Sequence, residues 1–390
     1  MGNARHRMPA EWGPHASTWL AWPHYRGDWP GKFEPIPWVY AEIIRHLGRH
    51  ERIDLIVNNK SSESHARKVL TKANALSENV AFHRWPTNRV WTRDSGCIFV
   101  VPTSIPDLSS RAKKEGSLAN PPSKSRACPE RTSSASERES NRDLMLSPSL
   151  TAIKWRFNAW AKYSNYGHDE KIGSLMAEAA HAEEVRPLQG KSRVVLEGGS
   201  IDVNGRGTLL TTEECLLSKT QQRNPGMSRA DYEKLFSVYL GIRKVIWLGS
   251  GIAGDDTHGH VDDITRFVSP DTVVTAVEAD PGDPNYEPLR ENIRRLRAAT
   301  DQDGKPLAII ELPMPGSVVF ENRRLPASYA NFYIANGIVL VPAFNDPNDR
   351  VALDILADLF PDREILGIYS GDLIWGFGAM HCMTQQQPGS

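Results

Sequence analysis

Cysteine is scarce in this sequence: Cys97, Cys128, Cys215 and Cys382 are the four among 390 residues, and no two are spaced Cys-x-x-Cys. That argues against a disulfide framework and against a zinc ribbon. Long apolar runs are missing as well, so no stretch reaches membrane-spanning length, and Met1-Gly2-Asn3-Ala4-Arg5-His6 carries no signal-peptide core. Neither sign of charge is in excess. A formal net charge of -1 speaks against nucleic acid or an acidic membrane surface as the main partner. The expectation is a reduced, cytoplasmic protein that meets a small molecule, with homo-oligomer formation left open. What is present, 40% hydrophobic and 24% charged residues, is an ordinary globular composition with material for a large core.

An order of elements recurs along the chain: amphipathic helix, short apolar strand, polar Gly/Asp/His loop, second strand. The periodicity predicts helices over 38–50, 62–76, 170–182, 228–240, 285–299 and 347–360, with strands over 53–57, 80–85, 97–101, 153–157, 194–196, 245–248, 308–312, 337–341 and 364–370. Ser228 reads as an N-cap, Gly241 as a helix stop and Asn204-Gly205 as a hairpin turn. Repeated units with loops at one end suggest a radial or layered α/β assembly around a shared mouth. Residues 103–149, crowded with Ser, Pro, Lys, Arg and Glu, do not share the rhythm. They read as a disordered, dispensable insertion, and Cys128 within it as without function.

The loops hold the chemistry. Trp91-Thr92-Arg93-Asp94-Ser95-Gly96 could be a turn with an internal Arg–Asp ion pair, and Glu197-Gly198-Gly199 a bulge. An acid at the end of an apolar strand still needs a partner, because an unpaired buried charge costs several kcal/mol. His258-Gly259-His260-Val261-Asp262-Asp263 offers His-x-His, a metal alternative disfavoured by ligand count and placement. Near the end of the sequence, Gly371, Gly376 and Gly378 frame a loop delivering Cys382, whose glycines would permit sharp turns and close approach to a ligand. A planar guanidinium is held best by carboxylates accepting paired N–H bonds, a task suited to Asp94 and Asp262. A Cys382 thiolate could then attack the electrophilic carbon, with His260 carrying protons and Glu197 holding the imidazole.

Several blocks in order then carry a resemblance. They are Met8-Pro9-Ala10-Glu11-Trp12, Trp22-Pro23-His24, Trp91 to Gly96, Trp155-Arg156-Phe157-Asn158-Ala159-Trp160, Leu196 to Ser200, Gly254 to Asp262, Tyr329-Ala330-Asn331-Phe332-Tyr333 and His381 to Pro388. The chain resembles agmatine deiminases and bacterial-type peptidyl-arginine deiminases of the guanidine-modifying (pentein) superfamily, nearly end to end. The resemblance implies one catalytic domain over 1–390, interrupted at 103–149. Its fold would be a five-fold pseudosymmetric α/β-propeller of ββαβ-type units, without cofactor or resident metal. It implies Cys382 as nucleophile, His260 as acid and base, Glu197 as its partner, Asp94 and Asp262 as guanidinium ligands, and Trp91 as a wall along the alkyl chain. The expected reaction converts agmatine to N-carbamoylputrescine and ammonia. Arginine or peptidyl-arginine deimination, a binding protein without turnover and a zinc hydrolase are the alternatives. One departure is Gly376-Phe377-Gly378-Ala379, where the family has three successive glycines before His-Cys. The agmatine reading also expects an aromatic and acidic far end, around Trp22, Trp91 and Asp255-Asp256, without unpaired arginine.

Overall fold

A computed structural model describes residues 6–103 and 150–389. The expectations for the 103–149 segment and Cys128 therefore fall outside the described residues, Thr103 excepted. Five sheets of three or four strands share one plan. An antiparallel pair is followed by a helix, which returns the chain to a third strand parallel to the second. In the third unit, Asp202–Val203 pairs antiparallel with Thr208–Thr212, and Lys244–Leu248 follows helix Arg229–Leu240 in parallel. In the fourth, Thr265–Phe267 and Thr272–Val277 precede helix Tyr286–Ala298 and strand Ala308–Pro313. In the fifth, Tyr333–Ala335 and Ile338–Ala343 precede helix Pro347–Leu359 and strand Glu364–Tyr369. The second unit joins Ile98–Pro102, Thr151–Ile153 and Glu183–Val185 around helix Asp169–Ala179.

The first unit is built from both ends of the chain. Strand His15–Ala21 pairs antiparallel with Gln385–Pro388 and parallel with Arg52–Val57, beyond helix Ile36–Leu47. Each unit also leans on its predecessor. Helix Tyr286–Ala298 packs on strand Lys244–Leu248, helix Pro347–Leu359 on Ala308–Pro313, and helix Ile36–Leu47 on Glu364–Tyr369. The last contact joins the fifth unit to the first, so the units close into a ring.

Local chemistry explains the elements. Middle strands such as Thr272-Val273-Val274-Thr275 are β-branched and covered on both faces, as a central strand beside a parallel neighbour should be. Each helix buries one stripe, as with Leu289, Ile293 and Leu296, at about 1.5–3 kcal/mol per side chain. Ser228 forms a capping box with Asp231, and Gly241 stops that helix at φ 73°. A Cβ on Gly241 would stand 2.4 Å from the His6 carbonyl oxygen, so the stop also makes room for the N-terminal strand.

Two expected strands are corrected. Residues 153–157 leave the sheet after Ile153, and residues 194–196 form only a bridge between Arg156 and Val195. The Asn224 side chain explains the second case. It donates to the Val195 carbonyl at 2.7 Å and accepts from the Val195 N–H at 2.8 Å, taking the place of a neighbouring strand. The expected loop at 91–96 contains a helical turn, Thr92–Ser95.

Candidate active site

The segments entering the first strand of each unit converge on one point. Asp94 lies just before Ile98–Pro102, Glu197 before Asp202–Val203, and His260 and Asp262 before Thr265–Phe267. Asn331 lies before Tyr333–Ala335, and Cys382 before Gln385–Pro388. All six side chains are buried. The sequence-expected residues Cys382, His260, Glu197, Asp94, Asp262 and Trp91 are thus brought together, each by an equivalent place in its unit. Cys382, Asp94 and Trp91 line a cavity of about 330 Å³.

The thiol of Cys382 receives an N–H bond from Asn331 Nδ2 at 3.1 Å and stands 3.8 Å from Asp262 Oδ2. Burial pushes its pKa well above 9, and the carboxylates of Asp262, Asp263 and Asp94 add to the rise. The resting group is therefore a neutral thiol. Asp94 accepts from the Gly199 N–H at 3.0 Å and from Trp160 Nε1 at 2.9 Å. Burial raises its pKa, against the pull of His260. Burial would raise the Asp262 carboxyl, but the bond from His381 Nδ1 at 2.7 Å and the charges of His381, His260 and Arg266 together hold it below the usual range.

The ring of His260 lies 3.9 Å from Asp94 through Nδ1 and 3.9 Å from Glu197 through Nε2, with Asp262 at 4.0 Å. Burial opposes its charge, yet Asp94, Cys215 and Glu197 hold it well above 6.5. Glu197 does not grip the imidazole by a direct hydrogen bond. Its bonded partner is Arg223, whose Nε donates to Oε1 at 3.0 Å. Burial would raise the Glu197 pKa, and the Arg223 charge brings it down to about 2. Gly199 is required here: a Cβ would come within 2.6 Å of His260 Nδ1 and 2.9 Å of Asp262 Oδ2.

Two alternatives read from the sequence fall away, and two expectations need correcting. Arg93 makes no pair with Asp94; it reaches Gln386 Oε1 at 2.6 Å and Glu11 Oε2 at 3.3 Å. His258 does not join His260, since its Nε2 meets Ser218 Oγ at 3.2 Å. The glycines of the Cys382 loop serve close packing. A Cβ on Gly376 would sit 2.6 Å from Trp29, and one on Gly378 2.6 Å from Trp91 and 3.0 Å from Cys382 Cβ. The left-handed residue of that loop is Phe377, at φ 68°. At the far end of the cavity, Asp256 is present, whereas Trp22 and Asp255 are not. Trp22 bonds His65, and Asp255 accepts from the backbone N–H groups of Thr257, Gly259 and His260. Arg89 and Arg323 line the cavity too, and each is paired, Arg89 with Asp28 at 3.4 Å and Arg323 with Asp256. Asp256 is engaged by Lys162, by Tyr163 Oη at 2.6 Å and by Arg323 at 3.4 Å. The Arg323 guanidinium also stacks 3.9 Å over the Phe377 ring.

Sequence reasoning assigned no role to Asn331, Glu11, His381, Arg223 or Trp160. The first three and Trp160 sit inside the blocks that carry the resemblance, but nothing local to them tells of their contacts. Chemically, the assembled site can hold a planar cation between carboxylates beside a thiol and a protonated imidazole.

Five ββαβ-type units closing on such a site make this a pentein. The family model of Porphyromonas-type peptidyl-arginine deiminases matches residues 7–388, and the chain belongs to that family. A curated relative, the agmatine deiminase of Pseudomonas fluorescens (strain SBW25), is 31% identical over 404 residues, with 98% of this chain and 95% of that one covered. The structure of an Enterococcus faecalis agmatine deiminase is similar at a TM-score of 0.80 and 27% identity, covering 100% of this chain and 98% of the other. A substrate-bound variant of a C. jejuni agmatine deiminase follows at 0.77 and 26%, covering 98% and 96%.

Proposed function

We propose that this protein is a hydrolase that deiminates agmatine to N-carbamoylputrescine and ammonia. The observation that carries the reading is the convergence of Cys382, His260, Asp94, Asp262 and Glu197, each buried, beside a cavity that Asp94 and Cys382 line. The relatives' assignments as agmatine deiminases support the substrate. In this reading the guanidinium enters between Asp94 and Asp262, with its alkyl chain along Trp91.

Arrival of the cation offsets the carboxylates that raise the Cys382 pKa, so substrate binding itself favours the thiolate, the thiol proton leaving to solvent and being regained when the C–S bond breaks. The thiolate adds to the guanidinium carbon. His260, held protonated, gives its proton to the nitrogen that leaves as ammonia, and an S-alkylthiouronium remains. Water then loses a proton to His260 and adds to that carbon, the C–S bond breaks, and the carbamoyl product departs. Positioning and the covalent route carry most of the acceleration. The setting proposed is cytoplasmic and the product's use is putrescine formation. No helix of the described residues is long and apolar enough to cross a membrane.

The test is ammonia release from agmatine, arginine, a dipeptide ending in arginine and a shorter guanidinium, each with wild type and Cys382→Ala. Agmatine is expected to lead arginine in kcat/KM by at least about a hundredfold, equivalent to ~3 kcal/mol. One second reading is a guanidinium whose other end bears a carboxylate, which would have to draw Arg89 or Arg323 from its paired aspartate. Faster turnover of arginine or the dipeptide would establish it and displace agmatine. Binding of agmatine without ammonia release would leave a non-catalytic guanidinium receptor.

A further inference from the structure

Cys215 has no part in the reaction just described, yet it lies against the acid–base pair. One ligand atom each from Glu197, Cys215 and His260 fall within 4.8 Å of one another, and all three residues are buried. Their placement is built into the fold. Cys215 sits on the short helix Glu213–Leu217, whose cap residue Thr212 accepts from the Cys215 N–H at 3.0 Å. The same Thr212 hydroxyl donates at 2.5 Å to the Gly259 carbonyl, next to His260. One hydroxyl thereby sets the thiol's helix against the histidine's segment.

A second observation points to a ligand. Both ring nitrogens of His260 and Oε2 of Glu197 are buried without a hydrogen-bond partner. Arg223 occupies only the other oxygen of Glu197. His260 Nε2 and Glu197 Oε2 face each other at 3.9 Å. Around a tetrahedral zinc ion, neighbouring N, O and S ligands stand about 3.3–3.6 Å apart, so the set needs to close by only a few tenths of an ångström on that edge. Thiolate, imidazole and carboxylate together suit a borderline-soft divalent cation better than a hard one such as magnesium.

We infer that Glu197, Cys215 and His260 form an inhibitory binding site for a zinc-like divalent cation. On binding, the Cys215 thiol and the His260 imidazolium each release a proton to solvent, and no group is oxidised or reduced. An imidazole ligated through Nε2 keeps its one proton on Nδ1 and has no lone pair to take another. His260 would then neither serve as a base nor alternate between its two forms, and turnover would stop until the metal was removed. The inhibitory consequence rests on the proposed deimination; the binding does not.

The probe is cobalt(II) added to the metal-free full chain, read as the thiolate-to-cobalt charge-transfer band and, separately, by equilibrium dialysis. Wild type and Cys382→Ala are expected to bind one equivalent and show the band, and zinc should displace it. Cys215→Ser and His260→Ala should lose it, with melting curves confirming that each variant is folded. Two variants of different size keep the test open if one does not fold. Zinc should abolish wild-type ammonia release, with recovery on chelation. Absence of the band in wild type would overturn the inference. So would a band that survives Cys215→Ser and disappears in Cys382→Ala, because the cation would then sit on the rival set Asp262, Asp263 and Cys382. If the band behaves as expected but no substrate is turned over, the deimination reading fails while the metal site stands.

Discussion

Two clusters of buried ionisable groups lie side by side in this protein, and they are finished to different degrees. Around Glu11 every polar atom is used. Oε1 accepts from Arg266 at 2.9 Å and the Ile334 N–H at 2.8 Å, while Oε2 accepts from His381 at 2.8 Å and Arg93 at 3.3 Å. Arg266 continues to Asp202 at 2.6 Å and to the Phe332 carbonyl at 2.7 Å. Around His260 the opposite holds: both its nitrogens, Glu197 Oε2 and Asp262 Oδ1 are buried and unpartnered. His381 joins the two, holding Asp262 with one nitrogen and Glu11 with the other. A satisfied network fixes geometry, and an unsatisfied one keeps free energy in reserve for a ligand. The first cluster is therefore expected to matter for stability and the second for chemistry.

The strongest break in that division should come from Cys382→Ala. Turnover is expected to fall by more than about ten-thousandfold, with little change in unfolding free energy, because one sulfur is lost from a wall that already opens on the cavity. Initial-rate assays and denaturant titration on the same preparation check both halves. Glu11→Ala should do the reverse. It takes one of the carboxylate partners from each of Arg266 and His381 in the interior, and removing one member of a buried ionic set costs about 3–5 kcal/mol. A denaturation midpoint equal to wild type would show that the network is not a stabilising one.

Acid should dissolve the distinction at one residue. Glu197 titrates at about 2 in the folded chain, against an ordinary value of 4.5. Its pairing with Arg223 thus contributes stability that is complete above pH 4.5 and disappears as pH falls toward 2, worth roughly 3 kcal/mol. Unfolding free energy followed through that window should lose this slope in Glu197→Gln. An unchanged slope would mean that the carboxylate is not depressed.

Of similar size is Asp94→Asn, which keeps shape and removes charge from a cation site. Losing such a partner costs ~2–5 kcal/mol, so kcat/KM should drop at least about a hundredfold with stability near wild type. Asp262→Asn should lower activity similarly and also disturb His381, so it sharpens where the two clusters meet. The least effect is expected at Phe377. A non-glycine residue in the left-handed region costs about 1–2 kcal/mol, so Phe377→Gly should be more stable than Phe377→Ala by ~1 kcal/mol. Equal stability of the two would show that the left-handed backbone carries no cost at this position.

Much of the site is legible in the order of residues. Asp94, Glu197, His260, Asp262 and Cys382 stand in loops beside glycines and at strand ends, where side chains are displayed and not packed. Helix ends are equally legible, because capping at Ser228 and the stop at Gly241 are written within a few residues. The strand expected at 194–196 is absent because its partner is a side chain, Asn224, about 29 residues away. The sharp turn expected of the glycines has its left-handed residue at Phe377, while Trp29 and Trp91 press on the glycines either side of it.

Sequence alone determined the helices, most of the strands, the order of the loops and the candidate side chains each loop would present, since propensity, capping and polarity act over a few residues. Tertiary structure decided which of those groups are satisfied and which are left waiting. The pairing of Glu11 with His381 spans 370 positions and exists because the C-terminal strand Gln385–Pro388 joins the sheet of His15–Ala21 and closes the ring. The placement of Cys215 beside His260 likewise depends on Thr212, which bonds the Cys215 N–H and, 47 positions along the chain, the Gly259 carbonyl. Burial and charge compensation are properties of a filled three-dimensional neighbourhood, and no window of the chain contains them.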